Sequence, residues 1–197
     1  EKLAISLCER YPKHPFPWKV LGALLKQTGR IIESLIPMQK SVELAPQDAE
    51  SHSNLGITLK ELGRFEEAEA SYKKAIALKP DYAEALSNLG IALKELGRTV
   101  EAQASFKKAI ELKPDFVEAH NNLGNTFREL SKSEEAEASY KKAIALKPDY
   151  ADAHSNLGVM LKELSRYEEA VSANQQAFSI RTGILPVGDK SLAPATT

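Results

Sequence analysis

Four asparagines, Asn54, Asn88, Asn122 and Asn156, recur at a fixed spacing of 34 residues. An amide side chain offers N–H donors and a carbonyl acceptor together. A column of them can therefore pair with the backbone of an extended peptide without reading its side chains. The column also has a plainer origin open to it: asparagines that bond neighbouring backbone, or that were copied with everything else when a repeat duplicated. His52, His120 and His154 raise the question of a metal. They stand one period or more apart, and stacked helix layers lie about 10 Å from each other. Ligand bonds near 2 Å cannot bridge that gap, so these rings read as packing groups. Cys8 is the only cysteine, which excludes a disulfide framework. Neither it nor any serine sits in a nucleophile signature, and no phosphate-cradling glycine run occurs. On this reading the chain has no catalytic residue, no metal ligand and no cofactor.

The elements that must position the asparagines follow from the same period. In Ala83–Pro114, Leu86, Leu89, Gly90 and Leu93 recur at spacings of three and four, as do Ala102, Phe106, Ala109 and Ile110. Each set shares one side of a helix. Gly97 stands between them, where a helix ends in a left-handed residue, and Pro114 stops the second helix. Asp81 with Glu84, and Asp115 with Glu118, read as capping boxes opening first helices. Gly90, with Gly22, Gly56, Gly124 and Gly158 in the same place, is expected to let the second helix approach, since glycine inside a helix otherwise costs roughly 1 kcal/mol. Phe106 is expected to reach the neighbouring repeat. Residues 68–83 and 136–151 are identical. A period of this length marks a stacked-repeat architecture.

The motif positions are a bulky residue (Trp18, His52, Leu86, His120, His154), Leu-Gly (21–22, 55–56, 89–90, 123–124, 157–158), and Leu or Phe three further on (Leu25, Leu59, Leu93, Phe127, Leu161). Then come an alanine (Ala68, Ala102, Ala136, Ala170), an aromatic (Tyr72, Phe106, Tyr140), a second alanine (Ala75, Ala109, Ala143, Ala177) and a closing proline (Pro46, Pro80, Pro114, Pro148). This pattern resembles the tetratricopeptide (TPR) repeat. The resemblance implies an all-α, right-handed TPR superhelix (α-solenoid) of five helix-hairpin repeats, at about 15–48, 49–82, 83–116, 117–150 and 151–184, within an array over 13–182. Residues 1–12 read as the truncated second helix of a preceding repeat, and residues 183–197 as a linker-like tail whose Ile184, Leu185 and Val187 either dock or stay a linker. The chain so read begins inside a repeat, as a piece of a longer polypeptide. Pro37 should kink the second helix of the first repeat. Asn174, in place of the aromatic, suggests that no regular sixth repeat follows.

In TPR families the first helix lines a concave groove. Carried onto this sequence, the peptide-binding candidates are Asn54, Asn88, Asn122 and Asn156, a line of Ile57, Ile91, Asn125 and Val159 that is apolar but for Asn125, and the basic Lys60, Lys94, Arg128 and Lys162. The asparagines resemble the ladder in O-linked N-acetylglucosamine transferases. Glu50, Glu84, Glu118 and Asp152 are acidic where chaperone-adaptor TPR domains carry a clamp lysine, which disfavours an acidic C-terminal tail as ligand. Lysine–glutamate neighbours along these helices read mostly as a solvated face.

A net charge of −1 gives no field for polyanions, so nucleic acid is not an expected partner. No run approaches the roughly 20 apolar residues of a membrane span, no signal peptide is visible, and the lone cysteine is consistent with a cytoplasmic location. The leading function is a protein- or peptide-binding scaffold, with no enzyme activity in this chain. Two alternatives stand beside it. One is the substrate-recruiting arm of a larger bacterial glycosyl-, sulfo- or methyltransferase, since HPFPWKVLGALLKQTGR resembles sequence in bacterial proteins that fuse TPR arrays to transferase-type domains. The other is a homo-oligomerisation module.

Overall fold

Every hairpin turns in the same way, and Gly97 shows why. The first helix α6 (Ala83–Glu95) ends at Leu96, and Gly97 takes φ +73°. Gly97 N–H then donates to the Lys94 carbonyl at 2.9 Å and Arg98 N–H to the Leu93 carbonyl at 2.9 Å. These paired bonds satisfy carbonyls that the helix end leaves open and start α7 (Thr99–Leu112) antiparallel to α6. The same closure joins α2 (Pro15–Gln27) to α3 (Ile31–Leu44) and α4 (Ala49–Glu61) to α5 (Phe65–Leu78). It also joins α8 (Val117–Glu129) to α9 (Ser133–Leu146) and α10 (Ala151–Glu163) to α11 (Tyr167–Thr182). In those last two turns the left-handed residue is Ser131 (φ 57°) or Ser165 (φ 59°).

The structure, a computed structural model, describes residues 1–184, all of it helices and short turns. A single helix, α1 (Lys2–Arg10), precedes the five hairpins and packs on α2. The chain divides into two units, Glu1–Pro114 and Asp115–Thr197. The fold is an all-α solenoid: within each unit one helix hairpin stacks on the next. Leu185 and Val187, in the tail considered for docking, lie outside the described residues.

Inside each hairpin a glycine of the first helix faces the bulky residue of the second. A Cβ on Gly90 would stand 2.7 Å from the Phe106 ring, one on Gly56 2.6 Å from Tyr72, and one on Gly124 2.6 Å from Tyr140. Met38 fills this role against Gly22, and Asn174 against Gly158. Phe106 thus lies on the glycine of its own hairpin. Tyr72, Phe106 and Tyr140 are fully buried, flanked by buried alanines such as Ala68, Ala102 and Ala136.

One local expectation changes. Tyr82 and Phe116 are the N-cap residues of α6 and α8, and no side chain caps either helix, so Asp81/Glu84 and Asp115/Glu118 form no capping box. In these repeats an aromatic occupies the N-cap position and the aspartate stands one residue before it. Asp48 itself occupies that position before Ala49, and its carboxylate does accept from Glu50 N–H at 3.2 Å. Pro37 sits inside α3.

Arginines after the turns tie hairpin to hairpin. Arg98 reaches back to Glu69 of α5 at 2.7 and 2.8 Å while also holding Glu101 of its own helix. Arg166 does the same with Glu137 of α9 and with Glu169. Hydrogen bonds from Lys73 and Arg98 hold the Glu69 carboxyl below the usual glutamate range, and those from Arg166 and Lys141 do so for Glu137.

Candidate functional site

Contacts between helices define an inner layer in each unit. First helices touch first helices: α2 with α4 and α4 with α6 in one unit, α8 with α10 in the other. Among the described residues, no such contact joins one second helix to another. The side on which successive helices approach is the inner side of the stack, so residues that first helices turn outward there line a shared face.

Asn54, Ile57 and Lys60 of α4 and Asn88, Ile91 and Lys94 of α6 are half-buried. In the second unit Asn122, Asn125 and Arg128 of α8 and Asn156 of α10 are half-buried, while Val159 and Lys162 are exposed. The asparagines are therefore more enclosed than a fully solvated face would make them. Spacing of three residues puts each set on one helix side.

The four asparagines differ in what engages them. Asn88 Oδ1 accepts from Lys60 Nζ at 3.1 Å across the seam between α4 and α6. Asn156 Nδ2 donates to Asn121 Oδ1 at 3.0 Å across the seam between α8 and α10. The side-chain amides of Asn54 and Asn122 make no hydrogen bond among the described residues, to neighbouring backbone or to anything else. Asn125 differs again, because its Oδ1 accepts the Tyr140 hydroxyl at 2.7 Å. In the equivalent place Ile57 offers no acceptor, and the Tyr72 hydroxyl is buried without a partner. Burial pushes the Tyr140 hydroxyl up to about 12 and that of Tyr72 higher still.

Three of the four acidic residues near the starts of these helices are engaged. Glu50 pairs with Lys19 at 2.9 Å, Glu84 with Lys113 at 3.1 Å and Asp152 with Arg181 at 3.0 Å. Their charge is thus partly offset, although such exposed pairs are worth little individually. Lys60, at the other end of α4, makes no ion pair with a carboxylate among the described residues. Burial holds its ammonium below the usual lysine range; Glu61 opposes that shift and Lys26 reinforces it. Sequence reading missed Lys26 at this face, though it stands one period before Lys60.

The histidines are tied to backbone. His52 Nε2 lies 3.0 Å from the Pro46 carbonyl oxygen and His154 Nε2 lies 3.0 Å from that of Pro148. Since a carbonyl only accepts, each Nε2 carries the proton. The Trp18 Nε1–H donates to Pro12 in the same way at 3.0 Å. At Trp18, His52 and His154 the bulky position of the motif thus closes the proline carbonyl just after the previous helix. No cluster of three metal-ligating side chains occurs among the described residues.

A family model described as "TPR repeat" matches residues 58–97, 92–130 and 124–165, and two described as "Tetratricopeptide repeat" match 38–70 and 151–186. No curated protein matches the chain. Among solved structures, TTC0263, described as a thermophilic TPR protein in Thermus thermophilus, is 26% identical, with 84% of this chain and 90% of that one covered at a TM-score of 0.72. MamA is 24% identical, with 81% and 94% covered at 0.72. YrrB, titled a TPR protein with an unusual peptide-binding site, is 21% identical, with 90% and 92% covered at 0.70.

Proposed function

The chain belongs to the tetratricopeptide repeat family, and we propose that it is a protein-interaction scaffold whose inner helix layer holds an extended peptide by its backbone. The observation that carries this is the pair of unengaged amides, Asn54 in the first unit and Asn122 in the second. Each is half-buried and stands three residues before a further half-buried position, Ile57 in one case and Asn125 in the other. A peptide backbone repeats donor and acceptor at every residue, which an amide can match from either side. Asn88 keeps its amide N–H groups for the same use while its oxygen serves Lys60. The peptide-binding site named for YrrB supports this choice by likeness of fold. Nothing in the helices suggests chemistry on the ligand, so the reading is of binding alone.

The test uses the full chain and short blocked random peptides. Changing Asn54 and Asn122 to alanine together should weaken captured peptides by about 1 kcal/mol per lost hydrogen bond, or roughly five-fold each. Unchanged affinity in the double variant, with unfolding also unchanged, removes the column from the account.

A further inference from the structure

One place on the inner layer of the first unit has donors and positive charge in excess. Lys60 is half-buried and donates to Asn88 Oδ1 at 3.1 Å, yet makes no ion pair among the described residues. An ammonium has three N–H donors, so two remain for other acceptors. Lys26 of α2 acts on it with like charge, and burial adds to the same destabilisation of the ammonium. Glu61 attracts it without forming a bond. The acidic side chains at the starts of α4 and α6 are engaged elsewhere, Glu50 with Lys19 and Glu84 with Lys113. By the period of the repeat, the Tyr72 hydroxyl ends beneath Ile57, one turn before Lys60, and is buried without an acceptor. What this place lacks is an anionic acceptor.

We propose that the face made by α2, α4 and α6 binds a peptide carboxylate, an aspartate or glutamate side chain, at Lys60, with Lys26 and the Asn88 amide on its flanks. The proposal deepens the peptide-binding reading and rests on it. A single negative charge fits better than a phosphate, because α2, α4 and α6 contain no arginine, whose planar fork matches phosphate. The arriving carboxylate would accept from Lys60 and relieve its repulsion with Lys26. The acidic positions that argued against an acidic tail leave this place untouched, since they lie at the opposite ends of the same helices.

The probe is three pools of short blocked peptides, random except for a fixed central Glu, Gln or Lys, captured on the full chain. The Glu pool should be enriched about ten-fold over the Gln pool, the size of one charge-assisted hydrogen bond. Lys60→Met keeps most of the aliphatic stem and should abolish the preference, while Lys60→Arg should retain it and Lys26→Met should reduce it. Thermal unfolding of each variant identifies any loss caused by misfolding, and in that case the Lys26→Met result decides. Equal capture of Glu and Gln pools by the unaltered chain overturns the proposal and leaves the backbone-binding reading standing. A Glu preference that survives Lys60→Met in a folded chain also overturns it. Capture of no pool at all overturns the backbone-binding reading, and the carboxylate site with it.

Discussion

The hairpins α4/α5 and α8/α9 end in sixteen identical residues, 68–83 and 136–151, and still solve one problem differently. Both bury a tyrosine against a glycine of the first helix. In α8/α9 the Tyr140 hydroxyl finds Asn125 at 2.7 Å; in α4/α5 the Tyr72 hydroxyl finds Ile57 and nothing to bond. The turns reverse the advantage. Gly63 takes the left-handed conformation in α4/α5, and Ser131 must take it in α8/α9. Each copy therefore keeps one feature that suits the repeat and carries one that strains it. Identity of the second helix does not guarantee identical energetics, because the deciding residue sits on the first helix.

The largest expected effect falls on what the copies share. Gly56→Ala and Gly124→Ala each drive a methyl to 2.6 Å from a buried ring that has no empty space to move into. Overpacking of this kind costs about 1–3 kcal/mol, and both variants should lose stability alike in urea unfolding monitored by circular dichroism. A marked difference between them would mean that the two rings are not held equally tightly.

Next in size, and opposite in sign, are the hydroxyl deletions. Tyr140→Phe removes a bond to Asn125 and should destabilise by about 1 kcal/mol. Tyr72→Phe removes a buried hydroxyl with no partner, so it should be neutral or stabilising by up to about 1 kcal/mol. The sharper form is Ile57→Asn, which gives Tyr72 the acceptor that Tyr140 already has; after it, Tyr72→Phe should turn destabilising. If the two tyrosine variants shift the urea midpoint in the same direction with unchanged slope, the contrast between the hairpins is wrong.

Much of the fold was legible in the chain, because a period of 34 residues repeats every local signal at once. Gly97 and the closing prolines Pro46, Pro80, Pro114 and Pro148 each marked a boundary that the helices respect. The capping boxes were misread since spacing alone did not register that Tyr82 and Phe116 push the aspartates out of the N-cap position. At the candidate face, the residues could be named from period and resemblance. Which amides are engaged could not, for Lys60–Asn88 and Asn156–Asn121 depend on how one hairpin meets another.

The smallest expected effect lies in the turns, and it tests whether the serine copy carries strain. A left-handed conformation places Cβ against the following carbonyl, at a cost near 1 kcal/mol that glycine avoids. Ser131→Gly gives up some of that benefit by freeing the unfolded chain, so the net gain should be only about 0.5 kcal/mol. Gly63→Ser should cost a similar amount. A Cβ at Gly63 meets no atom within 4 Å, so crowding cannot explain a loss there. The two variants isolate backbone conformation from packing, and amide exchange at Arg64 and Lys132 reads it locally: both N–H groups donate to first-helix carbonyls at 2.9 Å, to Leu59 and Phe127 respectively. Protection of Lys132 should rise with Ser131→Gly, and that of Arg64 should fall with Gly63→Ser. Movement of either in the other direction would place the strain elsewhere in the hairpin.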